Sequence, residues 1–421
     1  MKAGREELME IIDLWGYSED AQERIREILE SESPPPPHLF RYYGPSDGKG
    51  KVWQAERLFE ETIGTPYALA VNSGTSALMS AVAACGIGPG DEVLVPGYTF
   101  FASASVIVAS RAIPVICEVN DSLNLDPEDM ERKVTPQTKA AIAVHMKGMP
   151  ADMDEIMAVA RRHDLMVIED VAQACGGEYH GRHLGTIGDM GCFSFDFYKV
   201  AQSGEGGFVV TEDEFLNMRA QSWHDTAACW RPDRYARERR EGELFCGENY
   251  RMSEMQGAVA LAQIRKLPGY VADLRRNKRR IRERIELRGG LSLRRQPDPD
   301  GDASTSLVTF APSADQVEPL IAAMQEHGVG AGGRFDQTVR DWHVYNFWEH
   351  ILEQKTVTEE GCPFTCPYYE GTLPDYGPEM CPRTLDLLAR SVHIGIADTW
   401  SEEECDRIAE GINAAVAQVL G

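Results

Sequence analysis

Short apolar runs between residues 67 and 210 alternate with longer stretches whose apolar residues have helical spacing. The runs occupy residues 67–71, 92–96, 113–116, 140–145 and 166–168. They are almost continuously apolar, which is typical of strands covered on both faces. Strands that alternate with helices predict a parallel sheet with helices on both sides. The fold class is therefore predicted to be α/β, with a large αβα domain and a smaller α/β portion after it.

The length of the chain also bears on its division into domains. A chain of 421 residues is too long for one small core. The predicted parts are an N-terminal helix and proline linker at residues 1–37, a large domain at 38–265 and a small C-terminal domain at 266–421. The Lys- and Arg-rich helical stretch at 256–284 is interpreted as a solvated connector between the two domains.

The charge balance argues against several classes of function. Lys and Arg number 42 against 67 Asp and Glu, a net charge of -25. Such a surface repels nucleic-acid phosphates and anionic lipids, so neither is an expected partner. No apolar run approaches the roughly 20 residues of a membrane span, and the first residues predict an acidic amphipathic helix instead of a signal peptide. A cytoplasmic location is expected.

The ten cysteines are scattered, and Cys362 and Cys366 form the only close pair. No paired histidine or second close cysteine pair completes a zinc site, so no metal is predicted. Reduced thiols are expected, with a disulfide between Cys362 and Cys366 as the alternative.

Residues 166–210 contain the candidate catalytic residues. A buried strand ends at Asp170, a second strand runs through Ser194, and Lys199 follows on a loop before the turn at 204–207. This order suits a pyridoxal phosphate (PLP) site, in which the lysine amine binds the cofactor covalently and the aspartate pairs with the pyridinium nitrogen. Taken singly, Asp170 could be a helix cap and Lys199 a solvated lysine.

A second segment, at residues 67–76, has a pattern that favours anion binding. The strand at 67–71 runs into Asn72-Ser73-Gly74-Thr75-Ser76, a small-residue turn that opens a helix. The free backbone N–H groups of a helix N-terminus favour a phosphate. Ser and Thr are also ordinary N-caps, so the turn alone is weak evidence.

Three motifs resemble the DegT/DnrJ/EryC1/StrS family of sugar aminotransferases. They are Asp170-Val171-Ala172-Gln173, then Phe193-Ser194-Phe195-Asp196-Phe197-Tyr198-Lys199, and Gly204-Glu205-Gly206-Gly207. A fourth similarity is Gly247-Glu248-Asn249-Tyr250-Arg251-Met252-Ser253-Glu254. The resemblance implies PLP-dependent aminotransferase fold type I, with Lys199 and Asp170 catalytic. The cofactor-binding residues that it implies are Gly74, Thr75, Phe100, Asp170, Gln173, Ser194, Lys199 and Asn249.

The resemblance also implies a reaction and an assembly. The expected activity moves an amino group from glutamate or glutamine to a keto or aldehyde group of a sugar-like acceptor, namely a keto-sugar, an octulosonate or a cyclitol. The C-terminal part looks most like the 8-amino-3,8-dideoxyoctulosonate aminotransferase branch. The expected unit is a homodimer with shared active sites, in which Asn249 reaches the neighbour's cofactor phosphate.

Several alternatives stay open at this point. A dehydratase branch of the family has His in place of the lysine, and Lys199 argues against it. A lyase on the same cofactor shares every residue named, and a non-enzymatic sensor would not need the lysine. Asp196 and Lys147 depart from the family pattern. Two segments rich in aromatic residues and arginine, 38–44 and 223–231, are candidate edges of the substrate pocket.

Overall fold

A seven-stranded sheet forms the centre of the molecule. The computed structural model describes residues 3–32, 34–40, 50–230, 233–333 and 339–421. The strands in the first half of the chain are β1 (Tyr67–Val71), β2 (Glu92–Pro96), β3 (Ile113–Cys117), β4 (Thr138–Val144), β5 (Met166–Asp170), β6 (Glu178–Tyr179), β7 (Arg182–His183), β8 (Met190–Ser194) and β9 (Gly207–Thr211). The sheet order is β1-β9-β8-β5-β4-β2-β3, and β6 and β7 form a separate hairpin.

The directions of the strands confirm the α/β fold class, and they add one antiparallel strand, β9, to the predicted parallel sheet. β3, β2, β4, β5 and β8 run parallel, as predicted from the alternation of strands and helices. β9 is antiparallel to both of its neighbours, β8 and β1. The chain reaches β9 from β8 without an intervening helix, and a connection of that kind reverses the strand instead of crossing over the sheet. The large sheet is therefore mixed.

The first two helices of the chain, α1 (Arg5–Leu14) and α2 (Glu19–Glu30), bury no residue. The helices that follow cover both faces of the sheet. They are α3 (Lys51–Ile63), α4 (Gly74–Ala84), α5 (Ala102–Ala109), α6 (Pro127–Lys133), α7 (Met153–His163), α8 (Glu214–His224) and α9 (Glu254–Arg282). Residues of α4, α5 and α8 pack into one core, and residues of α3, α7 and α9 pack into the other. Successive strand residues supply opposite cores, as with Val93 and Leu94, because side chains alternate across a sheet.

The C-terminal part forms a four-stranded antiparallel sheet with its own core. Its elements are β10 (Ser292–Leu293), β11 (Ser306–Phe310), α10 (Val317–Glu326), β12 (Ala331–Gly333), α11 (Glu349–Leu352), α12 (Pro382–Ala389), β13 (Ser391–Gly395) and α13 (Glu402–Val419). Trp348 and Leu388 nevertheless pack in a core of the large sheet. The predicted division at residue 265 stays a prediction, and α9 runs through it.

The predicted N-terminal helix is a pair of helices, α1 and α2, separated by a short turn. All ten cysteines are free thiols, Cys362 and Cys366 included. Within the described ranges, no helix is long and apolar enough to cross a membrane. The same ranges contain no cluster of three or more His, Cys, Asp or Glu side chains suited to a metal ion.

Candidate active site

The carboxylate of Asp170 lies at the C-terminal end of β5 and is almost fully buried. Its Oδ2 accepts a hydrogen bond of 2.7 Å from Ser103 Oγ, and its Oδ1 accepts one of 3.1 Å from Ala172 N. Ser103 is in turn 2.8 Å from Thr99 Oγ1. Hydrogen bonds to an ionised carboxylate stabilise the charged form. The bond from Ala172 N closes the local turn that is expected of a helix-capping aspartate. The bond from Ser103, in contrast, joins Asp170 to the start of α5.

The two phenylalanines after Thr99 have different surroundings. Phe101 packs inward, with its ring centroid 5.7 Å from that of Trp348. Phe100 is 45% exposed, and its ring lies 5.3 Å from that of His343. Phe101 therefore packs in the core, whereas the ring of Phe100 lies near the end of β2 and can stack on a ligand.

Lys199 lies beyond the end of β8, the strand next to β5 in the sheet. Ser194, the last residue of β8, is buried, whereas Lys199 is half-buried. The Lys199 N–H donates to the Asp196 carbonyl at 3.0 Å, and Phe197 N–H donates to the Gly204 carbonyl at 3.1 Å. The predicted glycine turn at 204–207 thus closes the loop that presents the lysine.

The start of α4 lies directly against Ser194. A Cβ atom on Gly74 would be 2.6 Å from Ser194 Cβ and 2.9 Å from Ser194 Oγ, so only glycine fits this approach. Ser73 caps the helix by accepting from Ser76 N at 3.0 Å. The N–H groups of Gly74 and Thr75 are among the first of the helix and have no partner within it. The Ser194 hydroxyl and these two N–H groups form a cradle suited to a phosphate.

Gln173 is half-buried and lies three residues after Asp170, the last residue of β5. Its Oε1 accepts a hydrogen bond of 3.1 Å from the N–H of Lys147. Lys147 has a φ of 54°, in the left-handed region. With Oε1 engaged, the side-chain amide offers its N–H groups, which are the donors that a phenolic oxygen would accept.

Glu169 belongs to the opposite face of β5 and is fully buried. It accepts hydrogen bonds from His145 Nε2 at 3.1 Å and from three backbone N–H groups between residues 185 and 188, at 2.7–2.8 Å. His145 Nδ1 accepts from Ala151 N, so Nε2 carries the proton. Burial raises the pKa of Glu169, but the bonds from His145 and the backbone outweigh it and lower the pKa. Glu169 and His145 are structural.

Asn249 is exposed and pairs with Asp225 in an isolated β-bridge. Its neighbour Tyr250 accepts a hydrogen bond of 2.8 Å from Asn72 N, just before the start of α4. The segment that carries Asn249 therefore lies beside the cradle of its own chain, at the surface.

The predicted pocket edge at 223–231 is organised by a buried carboxylate. Asp225 is fully buried and accepts from Trp230 Nε1 at 2.6 Å and from Arg234 at 2.8 Å. Arg251 forms an ion pair with the same carboxylate and stacks on Phe40 at 4.9 Å. Residues 41–44 of the other candidate edge, and Arg231, lie outside the described residues. A role of either segment in the substrate pocket stays a prediction.

Sequence reasoning overlooked Ser103, and it placed Asp225 in a candidate pocket edge without a role of its own. Ser103 follows Thr99 by four residues, and Thr99 lies just before the N-cap of α5, Phe101. That spacing is visible in the sequence, but the partner, Asp170, lies 67 residues away. Asp225 stands between Trp223 and Trp230 and next to His224, with no local signal that it would be buried.

Comparison with known proteins identifies the family. The family model described as the DegT/DnrJ/EryC1/StrS aminotransferase family matches residues 47–363. GDP-perosamine synthase of Caulobacter vibrioides is 40% identical over 228 residues, which are 52% of this chain and 58% of that protein. L-glutamine:2-deoxy-scyllo-inosose aminotransferase of Streptoalloteichus tenebrarius is 39% identical over 269 residues, 62% of each chain. The alignment spans less than two thirds of the length of each of these relatives.

A solved structure extends the similarity over nearly the whole chain. The aminotransferase from Psychrobacter cryohalolentis superposes with a TM-score of 0.75 at 28% identity, covering 96% of this chain and 98% of that one. The family model matches well over half of this chain, and the site motifs all lie within the matched residues. The chain belongs to the DegT/DnrJ/EryC1/StrS aminotransferase family.

Proposed function

We propose that the protein is a PLP-dependent aminotransferase that moves an amino group from glutamate or glutamine to a keto or aldehyde group of a sugar-like acceptor. The observation that carries this proposal is the buried Asp170 carboxylate, anchored by Ser103, on the strand next to the one that leads to Lys199. A carboxylate at the end of one strand and an amine on the loop after the adjacent strand suit the pyridine nitrogen and the aldehyde carbon of PLP.

The residues present fit PLP in chemistry and in space. The cradle of Ser194, Gly74 and Thr75 offers one hydroxyl and two N–H groups to a phosphate. A side chain at position 74 would clash with Ser194, so glycine is required there. Phe100 offers a ring face, and the Gln173 amide offers donors to the phenolic oxygen. When bound, PLP supplies the electron sink for loss of a proton from the carbon that bears the amino group.

Asp170 and Lys199 have different proposed roles. As a carboxylate, Asp170 favours a proton on the pyridine nitrogen, and Ser103 holds its Oδ2 in place. Lys199 holds the cofactor covalently before the donor binds. With the cofactor bound, the free Lys199 amine would be the positioned general base and acid that moves the proton at the donor carbon.

The proposed substrates follow the names of the relatives, one of which is an aminotransferase of L-glutamine and 2-deoxy-scyllo-inosose. A keto-sugar, an octulosonate and a cyclitol are all within the proposed acceptor class. The proposed assembly is a homodimer with shared sites. Phe197 and Tyr198, next to Lys199, are 64% and 86% exposed, and exposed aromatic side chains at a site favour coverage by a partner.

The proposed location is the cytoplasm. Every cysteine is a free thiol and most are buried, which fits a reducing compartment. Neither nucleic acid nor membrane is a proposed partner, because the strong net negative charge opposes both.

A half-reaction separates transamination from its alternative, a PLP-dependent dehydratase or lyase. The holoenzyme is mixed with L-glutamine or L-glutamate in the absence of acceptor, and the cofactor absorbance is followed. We expect stoichiometric loss of the yellow form, formation of the amino form of the cofactor and release of the matching keto acid. The control, Lys199→Ala, should not convert. If no amino acid converts the cofactor while a sugar substrate is dehydrated or cleaved, the aminotransferase proposal is wrong.

A further inference from the structure

The segment that carries Asn249 is paired with the segment at residues 223–226. Backbone hydrogen bonds of 2.7–2.9 Å join residues 248 and 250 to residues 223, 224 and 226. Gly247 allows this close approach, because a Cβ atom there would be 2.2 Å from the Trp223 carbonyl oxygen. The two segments therefore form a short antiparallel ladder in which Asp225 lies opposite Asn249.

The side chain of Asp225 adds contacts that the ladder alone does not make. Its fully buried carboxylate accepts from Arg234 and Arg251 through Oδ1 and from Trp230 Nε1 through Oδ2. The guanidinium of Arg251 also lies over the ring of Phe40, 4.9 Å from its centroid. Hydrogen bonds between a carboxylate and a guanidinium are strong and directional. Asp225 therefore holds Arg251 in one arrangement beside Asn249.

The side-chain amide of Asn249 depends on Arg251 in turn. Asn249 Oδ1 accepts a hydrogen bond of 3.4 Å from the Arg251 N–H. With Oδ1 turned inward, the exposed side chain presents the two N–H groups of Nδ2, which are donors suited to a phosphate. Arg251 also forms an isolated β-bridge with Val71, three residues before Gly74 of the cradle. The position of Arg251 thus bears on both the direction of the Asn249 amide and its place beside the cradle.

A buried carboxylate of this kind could also serve only the stability of the loop. Loss of one partner of a buried ion pair destabilises a protein in either case, so stability does not separate the two roles. The contacts of Asp225 favour a positioning role, because its backbone pairs with Asn249 and its side chain pairs with Arg251. Both contacts end in the short segment that contains the proposed phosphate ligand.

We propose that Asp225 is a positioning residue for the cofactor phosphate and that it acts through Arg251 on Asn249. The inference rests on the proposed function, in which Asn249 binds that phosphate, and it holds whichever subunit of a dimer provides the phosphate. Asp225→Asn keeps the shape of the side chain but has one acceptor oxygen instead of two. It cannot accept from the two arginines and from Trp230 at once.

The affinity of the apoenzyme for PLP tests the proposal. The dissociation constant is measured from the absorbance change on adding PLP to the wild type, Asp225→Asn, Asn249→Ala and the double variant. Each single variant should bind PLP at least about tenfold more weakly, the usual size of losing one hydrogen bond to a charged group. The double variant should be within about threefold of the weaker single variant, because the two residues act in one series of contacts.

The phosphorus NMR resonance of the bound cofactor is a second readout, and it should move in the same direction in Asp225→Asn as in Asn249→Ala. The matched control is Glu92→Gln. Glu92 is also a buried carboxylate, and it accepts from the hydroxyl groups of Thr135 and Tyr369. It is the first residue of β2, at the end of the sheet opposite to Asp170. Glu92→Gln should lower the stability and leave the affinity for PLP unchanged.

The positioning role is overturned, while the proposed function stands, if Asn249→Ala weakens PLP binding and Asp225→Asn does not. Independent effects, in which the double variant loses the product of the two single factors, also overturn it. So does equal weakening by Glu92→Gln, which indicates a general effect of lost stability. Should Asp225→Asn not fold, Arg251→Lys keeps the charge but loses the planar group that pairs with Asp225, and the same criteria apply to it.

Two further outcomes concern the proposed function on which the inference rests. If Asn249→Ala binds PLP as the wild type does, the proposed phosphate contact of Asn249 is wrong and the positioning role fails with it. If the wild type itself binds no PLP, the proposed function is refuted as a whole.

Discussion

Ser103 donates a hydrogen bond of 2.7 Å to the buried carboxylate of Asp170. This bond joins the first turn of α5 to the end of β5, between two residues that lie 67 positions apart in sequence. Thr99 is hydrogen-bonded to Ser103 in turn, and Phe100 lies between these two residues in the chain. One chain of hydroxyl contacts therefore fixes the carboxylate and the segment that carries the candidate stacking ring.

Replacement of Asp170 by Asn should leave PLP bound and slow transamination by roughly 10²–10³-fold. This is the typical loss of rate when one preorganised electrostatic group is removed from an active site. A neutral amide no longer favours a proton on the pyridine nitrogen. The measurement is the single-turnover rate of the half-reaction together with the cofactor content. A near wild-type rate would mean that Asp170 is only a helix cap.

Ser103→Ala should have a smaller effect of the same kind. The Asp170 side chain loses one hydrogen bond, worth about 1.5–3 kcal/mol. We expect the half-reaction to slow by about tenfold to a hundredfold. A loss of stability with an unchanged rate would show that Ser103 only supports the fold.

Borohydride reduction of the holoenzyme should attach the cofactor to Lys199 alone. The reason is the position of Lys199 beyond the end of β8, beside the Ser194 and Gly74 cradle. Peptide mapping by mass spectrometry locates the label. Lys147→Met is the control, because Lys147 contacts Gln173 through its backbone, and it should leave the yield of labelled Lys199 peptide unchanged. A label on Lys147 would contradict the assignment.

Glu169→Gln should destabilise the fold without any direct role in catalysis. Glutamate accepts from four donors, and the glutamine amide would leave about two of them without an acceptor. At about 1–3 kcal/mol for each, the free energy of unfolding should fall by roughly 2–6 kcal/mol. Urea denaturation measures this change. Glu212→Gln, at an exposed position, should change the stability by less than about 0.5 kcal/mol.

The effect of Glu169 on stability should depend on pH. Its pKa is lowered in the folded protein, so its contribution is present above the unfolded pKa of about 4.3 and is lost as the pH falls through the folded value. The difference in stability between wild type and Glu169→Gln should therefore stay nearly constant from about pH 7 to about pH 5 and shrink as the pH falls below about 4. A difference that grows on acidification would contradict the lowered pKa.

Local patterns in the sequence were sufficient for the fold class and for the order of the site motifs. Continuous apolar runs show which strands are buried on both faces, and the glycine turn after Lys199 closes as its composition predicts. The reversed direction of β9 depends on the lack of a crossover helix, and apolarity alone does not reveal it. The Ser103–Asp170 bond and the burial of Lys278, on a helix predicted to be solvated, depend on contacts between residues distant in sequence, which local sequence patterns do not reveal.

The last prediction concerns Asn249, proposed to complete the site of a neighbouring subunit. Asn249 is exposed, as are Phe197 and Tyr198 next to Lys199. Asn249→Asp would set a carboxylate against the cofactor phosphate, and like charges repel strongly in a partly desolvated site. Lys199→Ala and Asn249→Asp should each be nearly inactive alone. The measurement is the activity of equal mixtures of chains after co-expression, with formation of mixed dimers verified by two affinity tags.

If sites are shared, a mixed dimer of the two single variants has one site with both lesions and one with neither. Random assortment then restores roughly a quarter of the wild-type activity. The matched control mixes wild type with the chain that carries both substitutions. In a shared arrangement its mixed dimers have one lesion in each site, so activity should be about a quarter, whereas separate sites would give about a half. No recovery in the first mixture, with half activity in the second, would place Asn249 in its own subunit's site and refute the shared arrangement.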